Sequence, residues 1–344
     1  MTESIRWGIL GHATIARICV IPAIARSANG TLRALASRHP ESARETAAAH
    51  GIEHLYDRYE DVLQDPGVDA VYIPLPNHLH RPWTLQALAA GKSVLCEKPL
   101  ACNAAEAAEM AAAADASRCL LMEAFMYRYH PRSRKIRQMV TDGELGELRL
   151  VRTAFCYSMQ PELLAAGNTP RLRPEMGGGA LLDVGCYGVS LARWLFGAEP
   201  EAVQAQAVYH PRQPVDLHLA AVLRFPGSGL ATVEASFITA LQQTYAVIGS
   251  SGAIDLPHNA FIPWEADAGF VQRGREDEHG RQHLVAGVDQ YRLMVEHFAD
   301  VVLGRRPPAF GIEDSLANMR VLDALAAAAR SGATVTLDRV ESNL

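Results

Sequence analysis

The sequence lacks the features that mark membrane proteins and nucleic-acid binders. No apolar run in the 344 residues approaches the roughly 20 residues that span a bilayer. The net charge of −6 provides no basic stripe and no polybasic patch. The N-terminus enters an apparent strand at once, which leaves no room for a signal peptide. We therefore expect a cytoplasmic protein that binds neither nucleic acid nor membranes.

The sequence also lacks the cysteine patterns of metal sites. Its six cysteines form no C-x-x-C pair, and none stands beside a histidine at the spacing of zinc ligands. Scattered cysteines in a chain without a signal peptide are typical of reduced cytosolic thiols. No metal site is predicted.

The first third of the chain alternates short apolar runs with helical patterns. Strands separated by helices of this length are typical of βαβ units and a parallel sheet. The predicted strands are Ile5–Leu10, Thr31–Ala36, Ala70–Pro74, Ser93–Cys96 and Leu120–Glu123. The predicted helices between them are Ala13–Ala28, Pro40–His50, His78–Ala90 and Ala104–Ala114. A chain of this length favours two domains, and we place the first at residues 1–123.

After about Gly146 the pattern changes to long, partly alternating segments. These are Leu148–Tyr157, Ala202–Tyr209, Leu217–Phe225, Leu230–Ile238 and Thr244–Ile248. Strands that follow one another without helices between them predict a mostly antiparallel sheet. Helical patterns over Val288–Leu303 and Ile312–Arg330 close the chain. The fold class is therefore α/β, with a doubly wound parallel sheet followed by a second domain over residues 124–344.

The turn after the first strand resembles a dinucleotide-binding loop. The spacing G-x-x-G-x-A-x-x-A runs from Gly8 to Ala16. Glycine lets the backbone turn tightly and approach a pyrophosphate, whose charge the free N–H groups of a helix N-terminus bind. The alternative is an ordinary strand–helix turn. The predicted cofactor-binding residues here are Gly8, Gly11, His12, Ala13, Thr14 and Ile15.

The second strand should end beside the adenosine ribose, where an acidic residue holds the hydroxyls of NAD. The sequence instead has Ser37-Arg38-His39. A guanidinium suits the charge and the acceptor array of a 2′-phosphate. Ser37 and Arg38 therefore predict NADP as the preferred cofactor, with NAD as the alternative. The competing interpretation is that Arg38 is a solvated surface residue.

Three later motifs point to a family. They are Pro76-Asn77-His78-Leu79-His80, Glu97-Lys98-Pro99-Leu100-Ala101 and the segment from Gly177 to Tyr187, GGGALLDVGCY. Together they resemble the Gfo/Idh/MocA oxidoreductase family over nearly the whole chain. The segment from Glu123 to Pro131, EAFMYRYHP, is similar to the branch of NADP-dependent D-xylose dehydrogenases and dimeric dihydrodiol dehydrogenases.

The resemblance implies a Rossmann domain joined to an α/β domain with a large open sheet, and hydride transfer between nicotinamide and a sugar or polyol carbon. It also implies that Lys98 reaches the reacting centre. The cofactor-contacting positions that it adds are Ser37, Arg38, Pro76, Asn77, His80, Glu97 and Lys98. An open sheet face predicts a homodimer or a higher homo-oligomer.

Tyr187 stands where many family members carry a catalytic histidine, and the sugar-oxidising branch uses tyrosine there. A nearby ammonium favours the phenolate, so Tyr187 and Lys98 form a workable acid/base pair. Asp183, one helical turn earlier, could bind a second substrate hydroxyl or orient the pair. The alternatives are a core tyrosine, a solvated turn lysine and an N-capping aspartate.

Further substrate-binding candidates are Tyr127, Arg128 and Arg171, together with Asp183. The predicted function is an NADP-dependent, aldose 1-dehydrogenase-like enzyme. The alternatives are a dihydrodiol dehydrogenase, a keto-sugar reductase and a non-catalytic NADP-sensing regulator. Retention of both Lys98 and Tyr187 argues against the regulator, because a sensor does not require an acid/base pair.

Overall fold

The computed structural model of the chain describes residues 4–337, which form two compact units. Unit 1 runs to Tyr129 and also includes Asp289–Leu316, and unit 2 comprises His130–Val288 and the residues from Ala317 onward. The division predicted after residue 123 is linear, whereas unit 1 takes in a segment from late in the chain. Sequence periodicity gives no signal for such a return, because it reports local structure.

Unit 1 is built on a six-stranded parallel sheet, which confirms the predicted fold class for this part of the chain. Its strands are β1 (Ile5–Leu10), β2 (Gly30–Ala36), β3 (His54–Tyr56), β4 (Ala70–Ile73), β5 (Ser93–Cys96) and β6 (Leu121–Glu123). The order β3-β2-β1-β4-β5-β6 reverses direction between β1 and β4. In doubly wound sheets, ligands bind at the carboxyl ends of the strands beside this reversal.

Helices connect the strands of unit 1. They are α1 (Ile21–Ala25), α2 (Pro40–Ala49), α3 (Tyr59–Gln64), α4 (His80–Ala89) and α5 (Ala104–Ser117). The helix predicted from residue 13 contains a π-helical segment, Ala16–Val20, immediately before α1. There the N–H of Ile21 donates to the carbonyl of Ala16, and the next residue, Pro22, has no N–H to donate. The regular hydrogen-bond ladder is therefore interrupted where α1 begins.

Unit 2 contains a nine-stranded sheet in which the β7–β10 pair is parallel and every other pair formed by the described residues is antiparallel. Its strands are β7 (Leu148–Ser158), β8 (Ala202–Tyr209), β9 (Asp216–Arg224), β10 (Leu230–Ser236), β11 (Ile238–Gly249), β12 (Gly252–Leu256), β13 (Ala268–Gly274), β14 (Arg281–Val285) and β15 (Val335–Thr336). The order is β14-β13-β12-β11-β7-β10-β9-β8-β15. The predicted mostly antiparallel sheet is confirmed.

The remaining helices are α6 (Pro131–Thr141), α7 (Pro161–Ala166), α8 (Cys186–Phe196), α9 (Gln290–Val302) and α10 (Ile312–Ser331). Helix α9 belongs to unit 1. The ring of Phe298 on α9 packs against Trp7 of β1, with centroids 4.9 Å apart. The amide of Asn29 donates to the carbonyl of Glu296 over 2.8 Å. These contacts explain why the segment is part of unit 1.

One face of the large sheet is covered by α8 and by the helical turn before it, which contact β7 and β10. The other face is exposed over β8, β9 and β10, because alternate residues of these strands face away from the core. We call this the open face; it includes Gln204, Gln206, Ala220, Val222 and Glu234.

Among residues 4–337, none of the helices combines the length and the apolar character that crossing a bilayer requires.

Candidate active site

The turn after β1 has the geometry of a phosphate-binding loop. Gly11 adopts a φ of 115°, a conformation that strains any residue with a side chain. Its N–H donates to the carbonyl of Ala36 at the end of β2 over 2.9 Å. Gly8 lies inside β1, where a Cβ would come within 2.4 Å of Val62 on α3. Gly11 therefore shapes the turn, whereas Gly8 permits close packing of strand and helix.

The residues after this turn enter the first helix. Ala13 accepts from the N–H of Arg17 over 3.0 Å, and Thr14 and Ile15 are already helical. The Nε2 atom of His12 lies 2.9 Å from the hydroxyl of Thr46 on α2. Burial and the charge of Arg17 lower the pKa of His12, so its ring is neutral at pH 7. The free N–H groups of this helix start can still receive a phosphate.

The end of β2 fits the adenosine end of a dinucleotide. Ser37 is buried, and its hydroxyl donates to the carbonyl of His39 over 3.1 Å. Arg38 is exposed. The hydroxyl of Tyr59, the first residue of α3, lies 3.6 Å from the position that a Cβ on Gly11 would occupy. Sequence analysis did not single out Tyr59, because it follows the short strand β3, which has no apolar pattern.

The turn after β4 carries Pro76 and Asn77, which begin a single 3₁₀ turn before α4. His80, the first residue of α4, is completely buried. Its Nδ1 lies 2.9 Å from the carbonyl of Pro99, and its Nε2 lies 2.7 Å from the carbonyl of Leu75. Burial lowers the pKa of His80 to about 4. A neutral ring carries one N–H, so His80 donates to one of these carbonyls and lies between the turns after β4 and β5.

The turn after β5 carries the E-K-P motif. Glu97 accepts from the hydroxyl of Tyr72 over 2.7 Å and from the N–H of Lys98 over 3.2 Å. The peptide bond between Lys98 and Pro99 is cis, a point on which the sequence was silent. The turns after β1, β2, β4 and β5 all lie at the carboxyl ends of parallel strands, and we call them together the carboxyl edge.

Glu123 ends β6 and supports the turn after β5. Its Oε1 atom accepts from the N–H of Leu100 over 2.9 Å, and its side chain is buried. Burial raises the pKa of Glu123 to about 7. Sequence analysis placed Glu123 in a strand and gave it no role; an acidic residue at the end of a short apolar strand was the available signal.

Tyr127 and Arg128 lie in a 3₁₀ turn of unit 1 and are both buried. The Nη1 atom of Arg128 lies 2.6 Å from a carboxylate oxygen of Asp314, and its guanidinium lies 4.6 Å from the ring centroid of Phe310. These contacts give Arg128 partners within unit 1. The assignment of Tyr127 and Arg128 to substrate binding remains a prediction.

In unit 2, Asp183 is the centre of a side-chain cluster that we call the Asp183 network. Its Oδ2 atom accepts from the hydroxyl of Tyr157 over 3.0 Å and from Nε of Arg171 over 2.9 Å. The Asp183 carboxylate raises the pKa of Arg171, and burial together with that carboxylate raises the pKa of Tyr157. Both donors therefore keep their protons at neutral pH. Asp183 lies inside a helical segment, and its N–H donates to Gly179, so it is not an N-cap.

Tyr187 lies in the first turn of α8, four residues after Asp183. Its side chain is 4% exposed, and its ring lies 5.2 Å from Phe155 and 5.4 Å from Phe261, centroid to centroid. These rings place the phenol of Tyr187 in an environment of low polarity, where electrostatic interactions are strong. Tyr157 was missed from the sequence, because nothing local connects β7 with the segment that carries Asp183.

Within residues 4–337, no three His, Cys, Asp or Glu side chains come close enough together to hold a metal ion. At the carboxyl edge the structure offers main-chain N–H groups and the exposed cation of Arg38, among other groups. These suit a phosphorylated dinucleotide, whose charges they complement. The residues of unit 1 therefore fit the phosphates of a dinucleotide cofactor.

Comparison with protein families gives two matches. Residues 5–125 match the oxidoreductase family with an NAD-binding Rossmann fold, and residues 133–255 match the GFO/IDH/MocA C-terminal domain. The first match contains the whole parallel sheet of unit 1. The second contains the Asp183 network and Tyr187.

Individual relatives are similar over almost the full chain. A D-xylose 1-dehydrogenase (NADP(+)) of Haloferax volcanii is 36% identical over 332 residues, covering 96% of this chain and 99% of that protein. A trans-1,2-dihydrobenzene-1,2-diol dehydrogenase of Xenopus tropicalis is 33% identical over 315 residues, covering 84% and 92%. The crystal structure of a 3-ketoreductase from Actinomadura kijaniata, solved with NADP and TDP-benzene, has a TM-score of 0.86 at 31% identity and covers 95% and 98%.

Proposed function

Because this chain belongs to the Gfo/Idh/MocA oxidoreductase family, we propose that it is an NADP-dependent dehydrogenase of aldopyranoses. The observation that carries the proposal is the Asp183 network. It presents a fixed carboxylate one helical turn before the buried phenol of Tyr187. A carboxylate held in this way binds a hydroxyl of a polyhydroxylated substrate, while a phenol exchanges the proton of the reacting hydroxyl.

Arg38 and Ser37 support the choice of NADP. Arg38 is exposed in the turn after β2 and carries the charge that a 2′-phosphate requires, and that turn, Ser37-Arg38-His39, has no acidic residue to bind the ribose hydroxyls of NAD. The relative from Haloferax volcanii is named for NADP, and the 3-ketoreductase was solved with it. We expect NAD to be accepted with a higher KM.

Lys98, Tyr187 and Asp183 have distinct roles in the proposal. A bound nicotinamide supplies the hydride acceptor. Tyr187 takes the proton of the hydroxyl that is oxidised, and the Lys98 ammonium favours the phenolate that does so. Asp183 accepts from a neighbouring substrate hydroxyl, and Arg171 keeps that carboxylate charged and oriented.

A keto-sugar reductase is the second candidate, because the same groups work in reverse. The specific support is the likeness to the 3-ketoreductase, at a TM-score of 0.86 and 31% identity. Tyr187 would then donate its proton to the oxygen of the ketone that is reduced.

A substrate panel tests the proposal. Purified enzyme would be assayed with NADP on xylose, glucose, inositols and aromatic dihydrodiols, and with NADPH on keto-sugars. We expect the highest kcat/KM on an aldopyranose, and we expect the Tyr187→Phe variant to lack that activity. Activity confined to dihydrodiols or inositols would exclude the aldose assignment, and activity confined to keto-sugars would establish the second candidate.

The open face of unit 2 supports a homo-oligomer. Its exposed residues include Val222, which is 43% exposed on a sheet whose opposite face is covered. Two copies of such a face can pair about a two-fold axis, and a dimer is the simplest such assembly. Light scattering at micromolar concentration is expected to give twice the chain mass or more. A monomer under those conditions would exclude this part of the proposal.

A further inference from the structure

We propose that Asp216 on β9 is a positioning residue, whose carboxylate holds the start of the helical segment that carries Asp183 and Tyr187. This segment, residues 181–196, consists of α8 and the helical turn before it. The inference rests on the proposed function, because it assumes that Asp183 and Tyr187 meet the substrate. It extends the function to a residue that neither the sequence motifs nor the family resemblance assigned.

The carboxylate of Asp216 accepts a hydrogen bond from the main chain of this segment. Its Oδ2 atom lies 2.7 Å from the nitrogen of the Leu181 N–H group, in the first helical turn. The first N–H groups of a helix have no partner within the helix, so an acceptor from outside stabilises them. Here the acceptor comes from the large sheet, because Asp216 is the first residue of β9. Asp216 therefore ties the segment to the sheet.

The second carboxylate oxygen of Asp216 lies against Gly179. The φ of Gly179 is 116°, a conformation that favours glycine. A Cβ at this position would overlap the Oδ1 atom of Asp216. The last glycine of the GGG run therefore lets the carboxylate approach the main chain closely.

Gly179 is also joined to the Asp183 network through the main chain. Its N–H donates to the carbonyl of Arg171 over 2.9 Å, and its carbonyl accepts from the N–H of Asp183 over 3.1 Å. The side chains of Arg171 and Asp183 are joined in turn, Nε to Oδ2, over 2.9 Å. Gly179, Arg171 and Asp183 thus form a closed set of contacts. A shift of Gly179 would displace both members of the ion pair, and Asp216 opposes that shift.

Asp216 is itself held in place by the sheet. It is paired with Tyr209 of β8, and the carbonyl of the next residue, Leu217, accepts from the N–H of Phe237 over 2.7 Å. A short side chain on a paired strand keeps little freedom, so its carboxylate is a firm support. Displacing reacting groups by about 1 Å can lower a rate by about 100-fold. The position of this carboxylate therefore bears on the reaction without touching the substrate.

The Asp216→Ala variant tests the inference, because it removes the acceptor and creates no clash with Gly179. We expect kcat/KM for the sugar to fall by about 10- to 100-fold, with the KM for NADP unchanged. Asp216→Asn keeps one oxygen for the N–H of Leu181 but not the charge, so its loss should be smaller, about two- to fivefold. Asp277→Ala is the matched control. Asp277 accepts two main-chain N–H groups in the turn between β13 and β14, and its loss should leave kcat/KM unchanged.

Hydrogen exchange gives a measurement that does not depend on activity. The N–H of Leu181 should exchange about tenfold faster in Asp216→Ala than in the normal protein, through loss of its acceptor. Mass spectrometry of the peptide around Leu181 would measure the rate, and Asp277→Ala should not change it. If Asp216→Ala does not fold, the comparison is made with Asp216→Asn. Normal exchange at Leu181 together with normal kcat/KM in that variant would overturn the inference.

These measurements separate failure of the inference from failure of the proposed function. If the normal protein oxidises no aldose, the proposed function fails, and the exchange rate at Leu181 still decides whether Asp216 holds the segment. If aldose is oxidised equally well by the normal protein and by Asp216→Ala, the inference is wrong and the proposed function stands. An Asp216→Ala variant with a lower melting temperature but a normal kcat/KM for the sugar would show a structural role and overturn the inference.

Discussion

The carboxyl edge of unit 1 and the Asp183 network of unit 2 position their functional groups by different means. At the carboxyl edge, a glycine with positive φ and the ends of strands set main-chain N–H groups, as Gly11 and Ala36 illustrate. In the Asp183 network, Tyr157, Arg171 and Asp183 hold one another by side-chain hydrogen bonds. A site made of backbone leaves a spacing motif in the sequence. A site made of side-chain contacts leaves a weaker signal: the segment that carries Asp183 was recognised, whereas its distant partner Tyr157 on β7 was not.

The largest expected effect concerns Tyr187 in unit 2, four residues after Asp183. Tyr187→Phe removes one hydroxyl, and the aromatic packing against Phe155 and Phe261 can persist. We expect kcat to fall by about 10²–10⁴ through loss of the acid/base group, with cofactor affinity retained. Steady-state kinetics and a cofactor titration would measure both quantities.

The Lys98→Met variant provides the matching experiment on the other unit. Without the ammonium, the phenolate of Tyr187 loses stabilisation, so the acidic limb of the kcat/KM profile for oxidation, on which activity rises as this base ionises, should move to higher pH. If Lys98 and Tyr187 act as one unit, the double variant loses much less than the product of the two single losses. A Tyr187→Phe enzyme with near-normal kcat, or losses that simply multiply, would break the pairing.

A smaller effect concerns the stability of the fold and tests whether the buried side chain of Glu123 also supports the carboxyl edge. The pKa of Glu123 is raised to about 7 in the folded protein, against about 4.3 for an unperturbed glutamate. The protonated side chain therefore stabilises the fold below about pH 4, and this contribution is lost as the pH rises through about 7. Its size is on the order of 3 kcal/mol.

Glu123→Gln is the variant for this test, because it cannot ionise and still offers an oxygen to the N–H of Leu100. The free energy of unfolding of the normal protein should fall relative to that of the variant between pH 4 and pH 8. The groups that face Glu123 are Asp314, Arg128 and Ser315, and they are unchanged in the variant. Urea unfolding at several pH values would measure the difference, and parallel stability curves would show that Glu123 keeps an ordinary pKa.

The smallest effect concerns the network itself. Tyr157→Phe removes one of the two donors to Asp183 that the structure provides from Tyr157 and Arg171, and should cost about 1 kcal/mol. If Asp183 binds substrate, the KM for the sugar should rise by roughly fivefold, with the KM for NADP unchanged. Tyr209→Phe on β8 is a matched control in the same unit. A change in thermal stability without a change in sugar KM would make Tyr157 merely structural.

Elements with a strong local pattern could be predicted from the sequence. The fold class is confirmed in both sheets, and β8 has the bounds that its sequence predicted, Ala202–Tyr209. The glycine turn at Gly11 was located correctly, because positive φ and close backbone approach demand a particular residue type. In each case a single short segment contained the necessary information.

Elements that depend on neighbours could not be predicted. Strand β3 (His54–Tyr56) and the edge strand β14 (Arg281–Val285) are half-buried or exposed, so their sequences show little apolar alternation. The hydrogen bond between Tyr157 and Asp183 results from tertiary folding. The predicted roles of Lys98 and Tyr187 stay predictions until the variants are measured.

The return of Asp289–Leu316 to unit 1 bears on how the protein is made. A nascent chain that has emerged from the ribosome only as far as Tyr129 contains all six parallel strands, yet Trp7 has no Phe298 ring to pack against and Asn29 has no carbonyl of Glu296 to bind. The nucleotide-binding half, although encoded first, is therefore completed only after most of unit 2 has been translated. Its last helix must wait for synthesis to pass residue 302, so a stop codon before that point would leave both halves of the enzyme unfinished.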